Sequence, residues 1–186
     1  MLEKLLELDR KLLLYINNFG IVDHDGFWLF ITNPISWLPL YLAILIVIWF
    51  YFTPTKFYTI FLQILLVLLV CGLATFLVKI TVGRLRPEHL VDLQNKLRVL
   101  SYPTSYSFFS GHAANSFAIT TFVVLVLRQK TKWSYLFYFW PLLFTYSRMY
   151  LGVHYPSDIL MGTLVGVLIA WIIYKYIYLK QVQVIN

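Results

Sequence analysis

From Phe57 to Val78 the chain runs 22 residues without a single charge. At 1.5 Å per residue this stretch is about 33 Å long as a helix, the thickness of the hydrocarbon core of a bilayer. In lipid every backbone N–H and C=O must find its partner inside the protein, so a spanning segment is a helix or a strand of a closed barrel. A continuous apolar run, with no alternation of polar and apolar positions, selects the helix. Four more segments fit the same description: Ser36–Phe52, Ala113–Leu127 (extended at its start by Phe108–His112), Trp133–Tyr146 around Pro141, and Ile159–Tyr174, which continues to Leu179. Trp37, Trp49, Trp133 and Tyr174 fall near segment ends, where aromatic side chains anchor spans at the interface. A composition of 60% hydrophobic and 12% charged residues excludes a water-soluble domain. The expected fold is all-α, a polytopic transmembrane bundle of five or six spans in one domain over residues 1–186, with the bundle proper at 34–179.

Residues 1–33 read differently. Leu2, Leu5, Leu6, Leu12, Leu13 and Ile16 fall near one helical face, with Glu3, Lys4, Glu7, Arg10 and Lys11 largely elsewhere. This is the pattern of an amphipathic helix lying in the interface. The charges interleaved through Met1–Arg10 do not resemble a cleavable signal peptide. Phe27–Ile31 is too short to span alone and would only lengthen the next segment if Pro34 kinks the helix instead of breaking it.

The net charge of +7 suits loop ends facing anionic headgroups, and a bilayer is the expected surroundings. Nucleic acid is not an expected partner, because no basic run with stacking aromatics stands outside the apolar blocks. Cys71 is the only cysteine, so there is neither an intrachain disulfide nor a cysteine metal site. The one long polar loop is Gly83–Ser107, a length that is usually functional in a compact protein.

Counting crossings places the remaining polar residues. The end of the second span, the start of the third, the end of the fourth and the start of the fifth all lie on one side of the membrane. Lys79 and Arg86, Ser110 and His112, Arg148, and His154 and Asp158 occupy those four places. Ionisable groups at membrane depth are costly, so such a gathering points to function. Lys79 offers a flexible ammonium and Arg86 a planar guanidinium, together suited to phosphate oxygens. Ser110-Gly111-His112 opens a helix, whose first N–H groups face an anion. A carboxylate at Asp158 can hold one nitrogen of the His154 ring and leave the other free to attack. Singly, Lys79 or Arg148 reads as a loop-end charge and His112 or His154 as a structural imidazole; matching side and spacing turns the balance towards a site. His24 and His89 are assigned to the surface and Asn115, one turn after His112, to packing.

Lys79…Arg86-Pro87, Ser110-Gly111-His112 and Ser147-Arg148…His154…Asp158 resemble the three-part signature of the type 2 phosphatidic acid phosphatase family. The likeness covers residues 34–179, with Phe109 standing where the family usually has Pro. It implies a lipid phosphate phosphatase with no metal or cofactor. Lys79, Arg86, Ser110, Gly111 and Arg148 would bind the phosphate of a membrane lipid. His154 would form a phosphohistidine, Asp158 would orient it, and His112 would protonate the leaving oxygen and then activate water. A polyprenyl diphosphate is the first expected substrate, with phosphatidylglycerol phosphate, phosphatidic acid and lipid A as rivals. A phosphotransferase of the same fold, or a non-catalytic anion-binding or transport protein, are the competing classes. Arg128, Lys130, Lys132, Lys56, Lys175 and Lys180 fall on the opposite side, which leaves the site extracytoplasmic, in a bacterial inner membrane. The oligomeric state stays open.

Overall fold

The computed structural model describes residues 2–185, and they contain helices and loops only. In chain order the α-helices are α1 (Leu2–Asn18), α2 (Asp25–Thr32), α3 (Leu38–Tyr51), α4 (Pro54–Val82), α5 (Val91–Gln94), α6 (Gly111–Leu127), α7 (Phe139–Tyr150), α8 (Pro156–Ile173) and α9 (Leu179–Ile185). Pro34–Tyr51, the segment beginning at Pro54, and the segment beginning at Pro156 are long and apolar enough to cross a membrane. α6 is a shorter apolar helix of 17 residues. The protein is thus an all-α membrane bundle.

Its core lies between α4, α6 and α8, around Ile60, Val67, Phe122, Val123 and Leu127. What brings α6 and α8 together is the absence of side chains. A Cβ on Gly162 would stand 2.6 Å from the Ser110 carbonyl oxygen, and one on Gly166 would stand 2.2 Å from that of Ala114. Neither contact is tolerable, so the backbones meet only because both positions are glycine. Small residues of this kind let membrane helices approach when lipid offers no hydrophobic drive to pair them. The consequence for function is local: the Ser110 N–H donates to the Asp158 carbonyl at 3.1 Å, tying the start of α6 to the start of α8.

Helix boundaries follow the local chemistry. α4 stops at Gly83, whose φ of 59° is left-handed, while its N–H bonds the Lys79 carbonyl. Pro156 starts α8 at a position where a missing N–H costs nothing. Pro34 breaks the chain: Asn33 before it is extended, and α2 ends at Thr32 as a separate eight-residue helix. The fourth expected span differs most. Lys132–Tyr138 is a 3-10 helix, and α7 runs on to Tyr150. Pro141 therefore lies in the first turn of α7, where proline is tolerated, and not inside a long helix.

α1 is a helix, as its periodicity requires, but its inward face is narrow and partly polar. Asp9, Leu13 and Asn17 are buried, at successive i, i+4 positions, while Leu5, Leu6, Leu8 and Leu12 are exposed. Asn17 donates to the carbonyls of Arg98 and Tyr150 at 3.0 and 2.7 Å and accepts from the Arg98 N–H at 2.8 Å. The helix is thereby fastened to the long loop and to the end of α7.

Candidate active site

Asp158 is hydrogen-bonded at both of its carboxylate oxygens. It is fully buried at the third position of α8, where the helix N-terminus favours a negative charge. Its Oδ2 accepts from the Tyr155 N–H at 3.0 Å and from the Ser107 hydroxyl, and lies 3.3 Å from His154 Nδ1. Its Oδ1 accepts from Arg84 Nη1 at 2.7 Å. A carboxylate can only accept, so Nδ1 of His154 carries the proton and Nε2 keeps its lone pair. That nitrogen faces Arg86 Nη1 at 3.3 Å, a donor, which fits the same tautomer. His154 is buried in the connection between α7 and α8, and burial pushes the ring well below its ordinary value of 6.5, against the opposing pull of Asp158. The free ring is neutral, the form that attacks an electrophile.

The cations stand around this pair. Arg86, buried, donates to the Val153 carbonyl at 2.8 Å, the Ser105 carbonyl at 2.5 Å and the Ser105 hydroxyl at 3.1 Å. Lys79 Nζ donates to the carbonyls of Tyr106 and Ser107, beside the Ser107 hydroxyl that bonds Asp158. Arg148, on the last turn of α7, donates to Thr32 Oγ1 at 2.6 Å, while its Nε is buried without a partner. The His112 ring is tilted over Phe144 with centroids 4.8 Å apart. Ser110 is fully buried and its hydroxyl accepts from the Ala113 N–H at 3.4 Å, so in this state it caps α6. Gly111 opens the helix, where the first N–H groups have no intrahelical acceptor. The structure brings all eight sequence-identified residues to the same end of the bundle, while His24 and His89 are exposed.

Four contributors escaped the sequence reading. Arg84 spans from Asp158 to Asp9 of α1, whose Oδ2 accepts from Arg84 Nη2 at 2.8 Å. Asp9 also accepts from the Ser157 N–H at 2.9 Å and from the Ser157 hydroxyl at 2.5 Å. The Arg84 guanidinium lies over the Tyr155 ring, 3.9 Å from its centroid. Ser107, from the end of the loop, completes the shell of Asp158. Glu88, next to Pro87, is buried with neither carboxylate oxygen hydrogen-bonded, and its charge acts on both Arg86 and Arg148. Only Arg84 carried a visible signal, as a second arginine two residues before Arg86.

A neutral imidazole backed by a buried carboxylate, with three cations near it, thus stands at one end of a helical membrane bundle. The chain belongs to the PAP2 superfamily, whose profile matches residues 60–181, and members of that family hydrolyse lipid phosphates. It is 32% identical over 191 residues to a lipid A 4'-phosphatase of Porphyromonas gingivalis, covering 97% of this chain and 78% of that one. A lipid A 4'-phosphatase of Bacteroides thetaiotaomicron is 30% identical, over 94% of this chain and 79% of the relative. An undecaprenyl-diphosphatase of Sulfolobus acidocaldarius is 33% identical over 104 residues, 55% of this chain and 47% of its own. Among solved structures, a transmembrane PAP2-type phosphatidylglycerolphosphate phosphatase from Bacillus subtilis shares the fold, with a TM-score of 0.73 at 23% identity over 93% of this chain and 86% of that one.

Proposed function

We propose that this protein hydrolyses a lipid phosphate monoester through a phosphohistidine on His154, with lipid A as its first substrate. The observation that carries the mechanism is the His154 ring, held at Nδ1 by Asp158 and directed at Nε2 towards Arg86. The Arg86–Nε2 contact is long at 3.3 Å, and an arriving phosphate exchanges it for two charge-assisted bonds to its own oxygens. The Nε2 lone pair then forms the N–P bond as the bond from phosphorus to the lipid oxygen breaks. Arg86, Lys79, Arg148 and the first N–H groups of α6 carry the charge on the three equatorial oxygens. His112, charged by the proton that the phosphate monoester brings into the site, gives that proton to the leaving oxygen. In the second step His112 takes a proton from water, the hydroxide forms the new P–O bond, and the P–N bond breaks to return neutral His154.

The sequence reading put polyprenyl diphosphate first. The two lipid A 4'-phosphatases match nearly the whole chain, whereas the undecaprenyl-diphosphatase matches about half, and this supports lipid A over the carrier lipid. The polyprenyl diphosphate remains the second reading on the strength of that shorter match. In this reading the site lies on the extracytoplasmic face of a bacterial inner membrane, with Lys56, Arg128, Lys130, Lys132, Lys175 and Lys180 at the other end of the bundle on the cytoplasmic side.

Phosphate release by purified protein across lipid A, phosphatidic acid, phosphatidylglycerol phosphate and polyprenyl diphosphate tests the assignment. His154→Ala is expected to lose at least about 10³-fold in rate, the scale on which a covalent nucleophile acts, while vanadate binding persists. Turnover retained in that variant removes His154 from the nucleophile role. No release from any of the four lipids by folded wild-type protein removes the phosphatase reading.

A further inference from the structure

Below the site lies a cavity of about 430 Å³ between α3, α4, α6 and α7. His112, Asn115, Ser116 and Ile119 line it from α6, at i, i+3, i+4 and i+7, so it follows one face of that helix away from the phosphate end. Gly111 and His112 form its head. Leu65, on α4, is half exposed at its side, so the cavity meets the surface that faces lipid. Its volume and almost wholly apolar lining suit a hydrocarbon chain.

One side chain does not belong in an apolar slot. Asn115 lines the cavity, and its Oδ1 is buried without a hydrogen-bond partner. The neighbouring polar group is already committed, since the Ser116 hydroxyl donates to the His112 carbonyl at 2.7 Å. An unmet amide group at membrane depth is costly unless a ligand satisfies it. Three residues of helix set Asn115 about 4.5 Å further along the axis than His112. That is where the first linkage of an N-acylated lipid falls: an amide group sits a few bonds from the phosphorylated carbon. A polyprenyl phosphate has nothing polar there, because beyond the ester oxygen its chain is hydrocarbon.

We propose that the cavity receives an acyl chain of the phosphorylated lipid and that Asn115 Oδ1 accepts a hydrogen bond from the N–H of an amide linkage to that chain. Asn115 is then a specificity-determining residue, selecting lipid phosphates with an amide-linked acyl chain over polyprenyl phosphates. The assignment rests on the phosphatase reading and adds the class of tail to it. An amide N–H is the donor that Oδ1 lacks, whereas an ester linkage offers only acceptors. The bond is worth most where water is excluded, and a substrate lacking the linkage leaves the amide unmet.

The test compares kcat/KM for lipid A and for a polyprenyl monophosphate in wild type, Asn115→Leu and Ile119→Trp, each as purified full chain. Asn115→Leu is expected to lose about tenfold on lipid A, one hydrogen bond's worth, and nothing on the polyprenyl phosphate. A parallel fall on both lipids, or no fall on either, overturns the proposal. Ile119→Trp fills the cavity; it is expected to slow lipid A while sparing a short water-soluble phosphate ester, and undiminished lipid A turnover overturns the tail site. Wild-type protein that releases phosphate from neither lipid fails the phosphatase reading itself. Release with an unchanged ratio in Asn115→Leu fails the selectivity alone.

Discussion

Along α8, Gly162 and Gly166 bring the backbone against α6 so closely that a single methyl group at either would collide. The opposite flank of α6, towards α3 and α4, leaves room for a cavity of about 430 Å³. The same helix therefore has a tight side and a loose side, and the chemistry divides between them. His154, Asp158 and their bonded shell belong to the tight side, where α6 and α8 start together. His112 faces the loose side, over Phe144 and at the head of the cavity. Reaction geometry needs fixed dipoles, which reorganise little when charge moves. A lipid tail needs a slot that yields, because it enters from a fluid. Placing both on one helix lets the phosphate end be rigid while the tail end stays adaptable.

The strongest way to break this division is to separate the tight side. Gly166→Leu drives a side chain into the Ala114 carbonyl, 2.2 Å from where its Cβ would stand. Overpacking of this kind costs about 3 kcal/mol or more when backbone is the obstacle. Thermal unfolding in detergent should show a large loss, with phosphate release abolished. On the loose side, Leu65→Met should cost less than about 1.5 kcal/mol, since a half-exposed volume-conserving change is absorbed. Equal losses at the two positions would erase the distinction.

The next effect concerns how the tight side holds Asp158. Arg84 Nη1 is 2.7 Å from its Oδ1 and is not in reach of the phosphate-binding set through any bond the structure shows. Arg84 is thus a positioning residue, keeping the carboxylate ionised and aimed at His154. A hydrogen bond to a charged group is worth about 1.5–3 kcal/mol, so Arg84→Gln should lower kcat about ten- to hundredfold with KM nearly unchanged. Arg84→Lys should recover part of the loss by restoring the charge without the fork. A rise in KM with kcat intact would instead make Arg84 a substrate-binding cation.

The three motifs were legible because they sit at helix ends, and crossing parity alone puts helix ends on one side. Lys79, Arg86, Ser110, Gly111, His112, Arg148, His154 and Asp158 needed no tertiary detail to be grouped. Arg84, Ser107 and Asp9 did need it, because their partners lie far along the chain: Asp9 meets Ser157, and Ser107 meets Asp158. The amphipathic pattern of α1 showed a leucine face, and most of that face is indeed exposed. It gave no sign that Asp9 would turn inward, since one buried carboxylate leaves the hydrophobic period unchanged. The glycines of α8 were visible at a four-residue spacing, but what they touch depends on which helix lies opposite. The start of α7 was misplaced because an apolar 3-10 stretch and an apolar α-helix look alike in composition.

The smallest effect is a displacement in pH. In the proposed mechanism His154 attacks only as the neutral ring, and its burial on the tight side holds the ring's pKa below 6.5. A lowered value means that the neutral fraction survives as pH falls through 6.5, and is lost only further into acid. The acid limb of kcat/KM that belongs to His154 should therefore lie below pH 6.5, once the ionisation of the lipid phosphate itself has been subtracted. Measuring turnover between about pH 5 and 8, the range in which an unperturbed histidine titrates, decides it. Asp158 opposes this shift by stabilising the protonated ring, so Asp158→Asn should move the limb still lower while cutting the rate. A wild-type limb at or above 6.5 would mean that water reaches the ring, and that the tight side is not closed around its nucleophile.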